Sequence, residues 1–564
     1  MSIASLIDSL KNPNGLFHAA SLSLLCAAFA AMFLILVVIY SIRSMKGVKG
    51  LWRYYLYLAA TFALSLGVLF TTNFMLLLVS WGLLGLLLFL LIGFGADKGT
   101  AEAARKTMIV IGGTDALLLL GIVLLWRVAS DGRLEGLLSM NLGMTHIPLA
   151  GGITVVAYLC MASAAFAKAG LMPFHSWIPD AAESSPIPVT AFLPASLDKL
   201  LGIYFLAKIS LDVFQMTPAM NTVLMALGSI TIVGAVMMAL VQHDLKRLLG
   251  YHAVSQVGYM VLGIGTGNPI GIAGGLFHMF NNCIYKSCLF LSAGAAEKKA
   301  GTSDLDRMGG LAKTMPFVFA TFLIASLSIA GVPPFNGFAS KWFIYQGVIN
   351  SGGSLWVLWL VAAMLGSALT VASFMKLIHA VFLGQPSENV LMLGLKKERT
   401  GFSTGFPLLV LSGLCVLLGV FAWKIPFGEL FRPEVSSDLR YLGIWQSGLA
   451  TLMILAGFVL GVLIYLAGSL KSSRIVQPFV GGEVLEKNPE MRLSGVDFYR
   501  TISELGFLKV MYRLAAKKLF DLYVVCDRTA AGVGAVFSFM HNGLLSRYLL
   551  WFLIGLVVIC IMLI

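Results

Sequence analysis

The sequence predicts an all-α, polytopic membrane protein of about fourteen transmembrane helices. It predicts two inverted five-helix repeats containing broken helices, followed by a C-terminal amphipathic arm. Three observations carry that expectation. The 564 residues are 59% apolar and 12% charged with a mean hydropathy of +0.90, a balance that excludes a soluble globule or several water-facing domains. Apolar stretches of about 20 residues, each able to cross roughly 30 Å of hydrocarbon as a helix, recur from Leu16 to Tyr465 and again from Tyr548 to Ile564. Four lysines, Lys168, Lys199, Lys286 and Lys341, stand inside such stretches beside glycine or proline breaks.

Residues 1–51 read as an N-terminal transmembrane segment. The run from Phe17 to Tyr40 lacks a basic start and a small-residue cleavage site, so it reads as a retained helix rather than a signal peptide. Residues 52–218 and 219–385 read as the two repeats, with cores from about Trp52 to Lys208 and from about Asn221 to Leu383. Each repeat has an interrupted apolar segment with a lysine beside the break: Lys168 with Gly170 and Pro173, and Gly331, Pro333 and Pro334 ahead of Lys341. Paired interruptions of this kind free backbone groups at membrane depth and point to an ion site. Two further helices are expected in 386–470, a surface or lateral arm in 471–546, and an anchor helix in 547–564. From Val496 to Val525 apolar and charged residues alternate as on a helix, which suits a membrane surface or partner helices.

Basic residues gather around Arg43 to Arg53, Lys98 to Lys106, Lys246 and Arg247, Lys298 to Lys313, Lys396 to Arg399, and Lys471 and Arg474. By the positive-inside rule these loops face the cytoplasm, so the net charge of +13 reflects topology and anionic lipid rather than nucleic acid. The cysteines are scattered, with no CxxC pair and no His/Cys cluster of ligand spacing, so no iron–sulfur centre, haem or zinc is expected in this chain.

A lysine at the bilayer centre costs about 2.5–3.5 kcal/mol on insertion scales, so its retention signals function. Desolvation disfavours a lysine's ammonium form and a nearby carboxylate restores it, so moving one partner loads or unloads a proton. Asp115 is the favoured partner, with Asp180 and Glu183 as loop candidates. His278, Asn282 and Lys286 recur at four-residue spacing on one helix face, as a buried hydrated path requires. Lys199 adjoins Asp198, which also fits a neutralised pair. His175 either relays protons or fixes its loop. Lys208 and Lys376 lie near helix ends, where a lysine can snorkel to the headgroups.

The runs Leu171 to Ala181, Asp244 to Tyr251 with Ser255 to Met260, and Ala330 to Lys341 resemble the antiporter-like proton-translocating membrane subunits of complex I, multisubunit Na+/H+ antiporters and energy-converting [NiFe] hydrogenases. The resemblance covers about Trp52 to Leu383. It implies a central lysine at Lys168, connecting lysines at Lys199 and Lys286, and a terminal lysine at Lys341. It also implies a multi-pass location in the inner (cytoplasmic) membrane and partner subunits that hold iron–sulfur clusters, with NiFe or flavin as further options. This chain would hold no cofactor. Two positions depart from the family pattern. Gly82, after Trp81, stands where the family carries a glutamate partner for the central lysine, and Asn282 stands where a histidine is common. The N-terminus reads as shorter than usual by one or two helices. The expected function is proton movement along the lysine row, driven by a redox module of other chains. A Na+/H+ antiporter subunit and a scaffold that has lost conduction are the alternatives.

Overall fold

Apolar runs closed by capping residues become helices here, since a chain in hydrocarbon must satisfy its own N–H and C=O groups. The computed structural model describes residues 18, 20–95, 99–129, 146–394, 396–397, 399–422, 447–467, 495–541 and 543–563. The basic residues Lys98, Lys471 and Arg474 lie outside them. The chain divides into two compact units, Met1–Ser503 and Glu504–Ile564.

The first unit begins with four long helices: α1 (Ser21–Ser44), α2 (Leu51–Phe70), α3 (Phe74–Ile92) and α4 (Thr100–Ala129). Asn73 caps α3 by accepting from the Met75 and Leu76 N–H groups at 2.9 and 3.2 Å. Helix α5 (Gly152–Ala169) stops at Gly170, whose φ of 89° is open to glycine and strained for other residues. A short loop leads to α6 (Trp177–Ser184) and α7 (Ile187–Phe192). A π-helical turn over Leu193–Leu197, which contains Pro194, passes directly into α8 (Asp198–Lys208). Strands β1 (Ile147–Pro148) and β2 (Phe214–Gln215) pair in parallel, Ile147 against Phe214.

Next come α9 (Pro218–Leu240), α10 (Leu245–Gly265) and α11 (Pro269–Ala300), capped by Thr217, Asp244 and Asn268 respectively. Helix α12 (Pro316–Ala330) ends at Gly331, with φ 81°, and α13 (Asn336–Asn350) follows after the proline turn. Helix α14 (Trp356–Leu377) runs into a π-helical turn over Ile378–Leu383. The short α15 (Glu388–Met392), then α16 (Phe402–Val420) and α17 (Ser447–Ala467), complete the membrane part of this unit.

The described residues contain eleven helices long and apolar enough to cross a membrane. Helices α10 and α11 fall outside that group despite their 21 and 32 residues, because they carry most of the polar side chains described below. Both are buried on every face and form the centre of the bundle. Helices α9 and α10 cross tightly at two glycines: a Cβ on Gly258 would lie 2.5 Å from the Gly228 carbonyl oxygen.

The helix expected from Val496 to Val525, which runs from the end of the first unit into the second, is not continuous. A 3-10 turn (Gly495–Tyr499) and α18 (Arg500–Glu504) precede α19 (Gly506–Ala516), α20 (Leu522–Met540) and α21 (Leu545–Leu563). Leu505, extended with ψ 133°, makes one break. At the other, Lys518 takes φ 56° and Asp521 restarts the helix by accepting from the Tyr523 N–H at 3.2 Å. Side-chain alternation marks a face, but local capping decides where a helix stops.

Candidate functional site

The break at Gly170 organises the first half of the site. It leaves carbonyls at the end of α5 without helical partners. The indole N–H of Trp177 donates to the Ala167 carbonyl at 2.9 Å, and the Lys199 Nζ donates to the Ala169 carbonyl at 3.0 Å. Lys199 reaches that end because α8 crosses α5 closely at Gly202, where a Cβ would lie 2.7 Å from the Ala169 nitrogen.

Lys168, in the last turn of α5, is completely buried and its Nζ makes no hydrogen bond. It lies 4.9 Å from the centre of the Trp81 ring on α3, a cation–π distance. Two carboxylates act electrostatically on it, Asp198 first and then Asp115. Asp115 sits in the middle of α4. Its Oδ2 would lie 3.5 Å from a Cβ at Gly85, one turn beyond Trp81. The carboxylate of α4 thus occupies space beside Trp81 that the small residue at Gly85 leaves open. At Gly82 a Cβ would meet nothing within 4 Å.

The second half is built on α10, α11 and α13. Lys286 is fully buried and donates to the Leu249 carbonyl at 2.8 Å, with the Phe290 and Phe374 rings each 5.9 Å away. His278 bonds Ser340 Oγ through Nδ1 at 2.8 Å and faces Gln256 Oε1 through Nε2 at 3.1 Å. Asn282 donates to the Ala195 carbonyl at 3.5 Å. The expected stripe therefore fans out: His278 meets α13 and α10, Asn282 meets the π-helical turn, and Lys286 meets α10. Lys341 donates to the Ile329 carbonyl at 2.9 Å, near the end of α12, and lies 4.6 Å from the Tyr259 ring.

His252 is a residue that the sequence reasoning missed. It is fully buried on α10, its Nε2 lies 2.7 Å from Ser373 Oγ, and it interacts electrostatically with both Lys286 and Lys341. The available signal was the spacing of His252, Gln256 and Tyr259, which puts three polar side chains on one face of α10. Asp198 was read only as the neighbour of Lys199, whereas it also acts on Lys168.

The loop candidates lie elsewhere. Asp180 pairs with Lys106 at 2.7 Å and with Arg247 at 3.1 Å, and Glu183 pairs with Arg247 at 2.6 Å. His175 is buried in the loop after Gly170, and its carbonyl accepts from the Ile178 N–H at 3.0 Å. Lys208 pairs with Asp212 at 2.5 Å. Lys376 does not snorkel: it is fully buried and donates to the Leu240 and Gln242 carbonyls at 2.8 and 2.9 Å, capping the end of α9. Among the described residues no cluster of His, Cys, Asp and Glu has the makings of a metal site.

A helical bundle this apolar, with a chain of buried lysines and histidines between two interrupted helices, is a multi-pass membrane protein of the ion-translocating kind. The family profile described as NADH:quinone oxidoreductase/Mrp antiporter, TM, matches residues 71–370. The chain is 30% identical over 477 residues to NAD(P)H-quinone oxidoreductase subunit 5 of the Paulinella chromatophora organellar chromatophore, covering 78% of this chain and 70% of that one. It is 33% identical over 373 residues to Na(+)/H(+) antiporter subunit A1 of Staphylococcus epidermidis, covering 62% of this chain and 45% of that longer one. A chain of the membrane-bound sulfane sulfur reductase, an archaeal respiratory membrane complex, shares the fold with a TM-score of 0.76 at 22% identity, over 96% of this chain and 89% of that one. The protein belongs to the NADH:quinone oxidoreductase/Mrp antiporter family.

Proposed function

We propose that this chain is the proton-translocating, antiporter-like membrane subunit of a complex-I-related redox complex, of the energy-converting hydrogenase or NADH/quinone oxidoreductase type, in the inner (cytoplasmic) membrane. One observation carries the reading. Lys168, Lys199, Lys286 and Lys341 are all buried, and on α10, α11 and α13 the buried side chains of Gln256, His278 and Ser340 bond one another. Buried amines at membrane depth are costly, and a series of them is retained when charge must be passed along.

Protons then move along Lys168, Lys199, Lys286 and Lys341, with His252, His278 and Asn282 as secondary groups. Asp115 replaces the glutamate missing at Gly82 as the counter-charge that moves against Lys168. His175 holds the loop after the first break. The two interrupted segments belong to inverted repeats at 52–218 and 219–385, followed by two helices in 386–470, a lateral arm in 471–546 and an anchor in 547–564. Partner subunits hold the redox centres, iron–sulfur clusters with NiFe or flavin. The similarity to the staphylococcal antiporter subunit supports a second reading, exchange of Na+ for H+ without redox chemistry.

The test is coupled pumping in inverted vesicles or proteoliposomes that contain the intact complex, comparing wild type with Lys168→Ala and Lys341→Ala at matched assembly. Loss of pumping in an assembled complex supports the lysine path. Unchanged pumping in both variants makes the chain a scaffold. Sodium-dependent exchange without an electron donor favours the second reading.

A further inference from the structure

Side chains tie α11 to α13 at several levels. Asn268, which caps the start of α11, donates through Nδ2 to the Gly347 carbonyl at 2.7 Å. Further along, His278 Nδ1 meets Ser340 Oγ at 2.8 Å. Beside the second break Asn281 and Asn336 bond each other twice. Asn281 Nδ2 donates to the Asn336 backbone carbonyl and Asn336 Nδ2 donates to Asn281 Oδ1, both at 2.9 Å. Asn336 Oδ1 accepts in turn from Ser328 Oγ on α12. A backbone carbonyl can only accept, so it fixes which way both amides point. Both asparagines and Ser328 are fully buried.

Asn336 thus joins α11, α12 and the first residue of α13 in one neutral joint. Lys341, on the same α13, reaches back to the carbonyl of Ile329, the residue after Ser328. Ser340, just before it, meets His278 and also donates to the Asn336 carbonyl at 3.3 Å. A slide or rotation of α13 that took Lys341 off Ile329 would have to break the amide bonds as well. None of the groups in the joint titrates near neutral pH, so its grip stays the same as protons reach or leave Lys341 and His278. Fully satisfied buried amides also specify one arrangement where apolar contacts would allow several. We propose that Asn281 and Asn336 are positioning residues for proton transfer, holding α13 at the rotation that keeps Lys341 on Ile329 and Ser340 on His278. This role rests on the proton path through Lys341.

The experiment uses the intact complex in inverted vesicles and reads protons pumped per turnover, the pH dependence of that ratio and the thermal inactivation midpoint. Asn281→Ala removes both bonds to Asn336, and Asn281→Ser keeps one hydroxyl that cannot replace both. Asn268→Asp is the control: it keeps the cap of α11 and loses the donor to Gly347, a tie between the same two helices away from Lys341. Each Asn281 variant should pump roughly fivefold fewer protons per turnover, the equilibrium factor of about one hydrogen bond, with an altered pH dependence. Asn268→Asp should lower the midpoint and leave the ratio and its pH dependence unchanged. An equal fall of the ratio in Asn268→Asp and Asn281→Ser would mark general loosening and overturn the proposal. So would a wild-type ratio in Asn281→Ser, or failure of both Asn281 variants to assemble, which would mark a role in folding alone. Lys341→Ala run alongside separates this role from the path beneath it. Normal pumping by Lys341→Ala removes the path and the role together, whereas a silent Lys341→Ala beside a normal Asn281→Ser removes only the role.

Discussion

Replacing Lys168 by methionine separates the chemistry of the lysine row from its scaffolding. The Lys168 ammonium makes no hydrogen bond and lies 4.9 Å from the Trp81 ring, so the substitution strands no donor or acceptor. The lost desolvated cation–π contact is worth about 2 kcal/mol. Removing a buried amine offsets that loss, and Asp198 keeps Lys199 as a counter-charge, so stability should fall by no more than about 2 kcal/mol. Lys376 is the control, since it is equally buried but serves two carbonyls, Leu240 at 2.8 Å and Gln242 at 2.9 Å. Lys376→Met leaves both unsatisfied at about 1–3 kcal/mol each, a loss of roughly 2–6 kcal/mol. The assay pairs the amount of assembled complex and its thermal inactivation midpoint with protons pumped per turnover in inverted vesicles. Lys168→Met should assemble normally and fail to pump, whereas Lys376→Met should fail to assemble. Equal loss of assembly in the two variants, or normal pumping by Lys168→Met, would refute the reasoning.

Asp115→Asn should abolish pumping in an assembled complex, and adding Gly82→Glu should restore part of it, since the position is open around a Cβ. A double variant that assembles but stays silent would remove Asp115 as the relocated counter-charge. Gly258→Ala forces a methyl against the Gly228 carbonyl and should cost about 1–3 kcal/mol, read as a lower inactivation midpoint. Arg247→Gln breaks pairs with the half-exposed Asp180 and Glu183, each worth about 1 kcal/mol or less. Pumping should survive it, and a silent Arg247→Gln complex would draw the loop carboxylates back into the path.

The four lysines and both interruptions were legible in the sequence because a cation in an apolar run beside Gly or Pro is a one-dimensional signal. Pairings across the bundle were not. Asp198 acts on Lys168 because Gly202 lets α8 approach the end of α5, a tertiary event with no local mark. His252 meets Ser373 across 121 residues of chain. Lys376 looked like an interfacial lysine because proximity to a helix end in sequence does not reveal what covers that end in space. The mixed charged and apolar composition after Val496 marked helices, while their breaks depended on single residues such as Lys518 and Asp521.

Helix ends explain why the departure at Gly82 matters most at one lysine. Lys199, Lys341 and Lys376 donate to carbonyls at or near the ends of α5, α12 and α9. Those ends carry the negative pole of the helix dipole, which favours a cation. Such compensation is fixed, because a backbone dipole neither titrates nor swings away. Lys286 also rests on a backbone carbonyl, that of Leu249. Lys168 alone among these five has no carbonyl partner and faces an aromatic ring with Asp198 and Asp115 as its carboxylates. Its charge therefore has carboxylates as its compensation, and a carboxylate can move or titrate. A family glutamate can be lost at Gly82 without loss of that compensation only if another carboxylate stands within reach, and Asp115 beside Gly85 meets that condition.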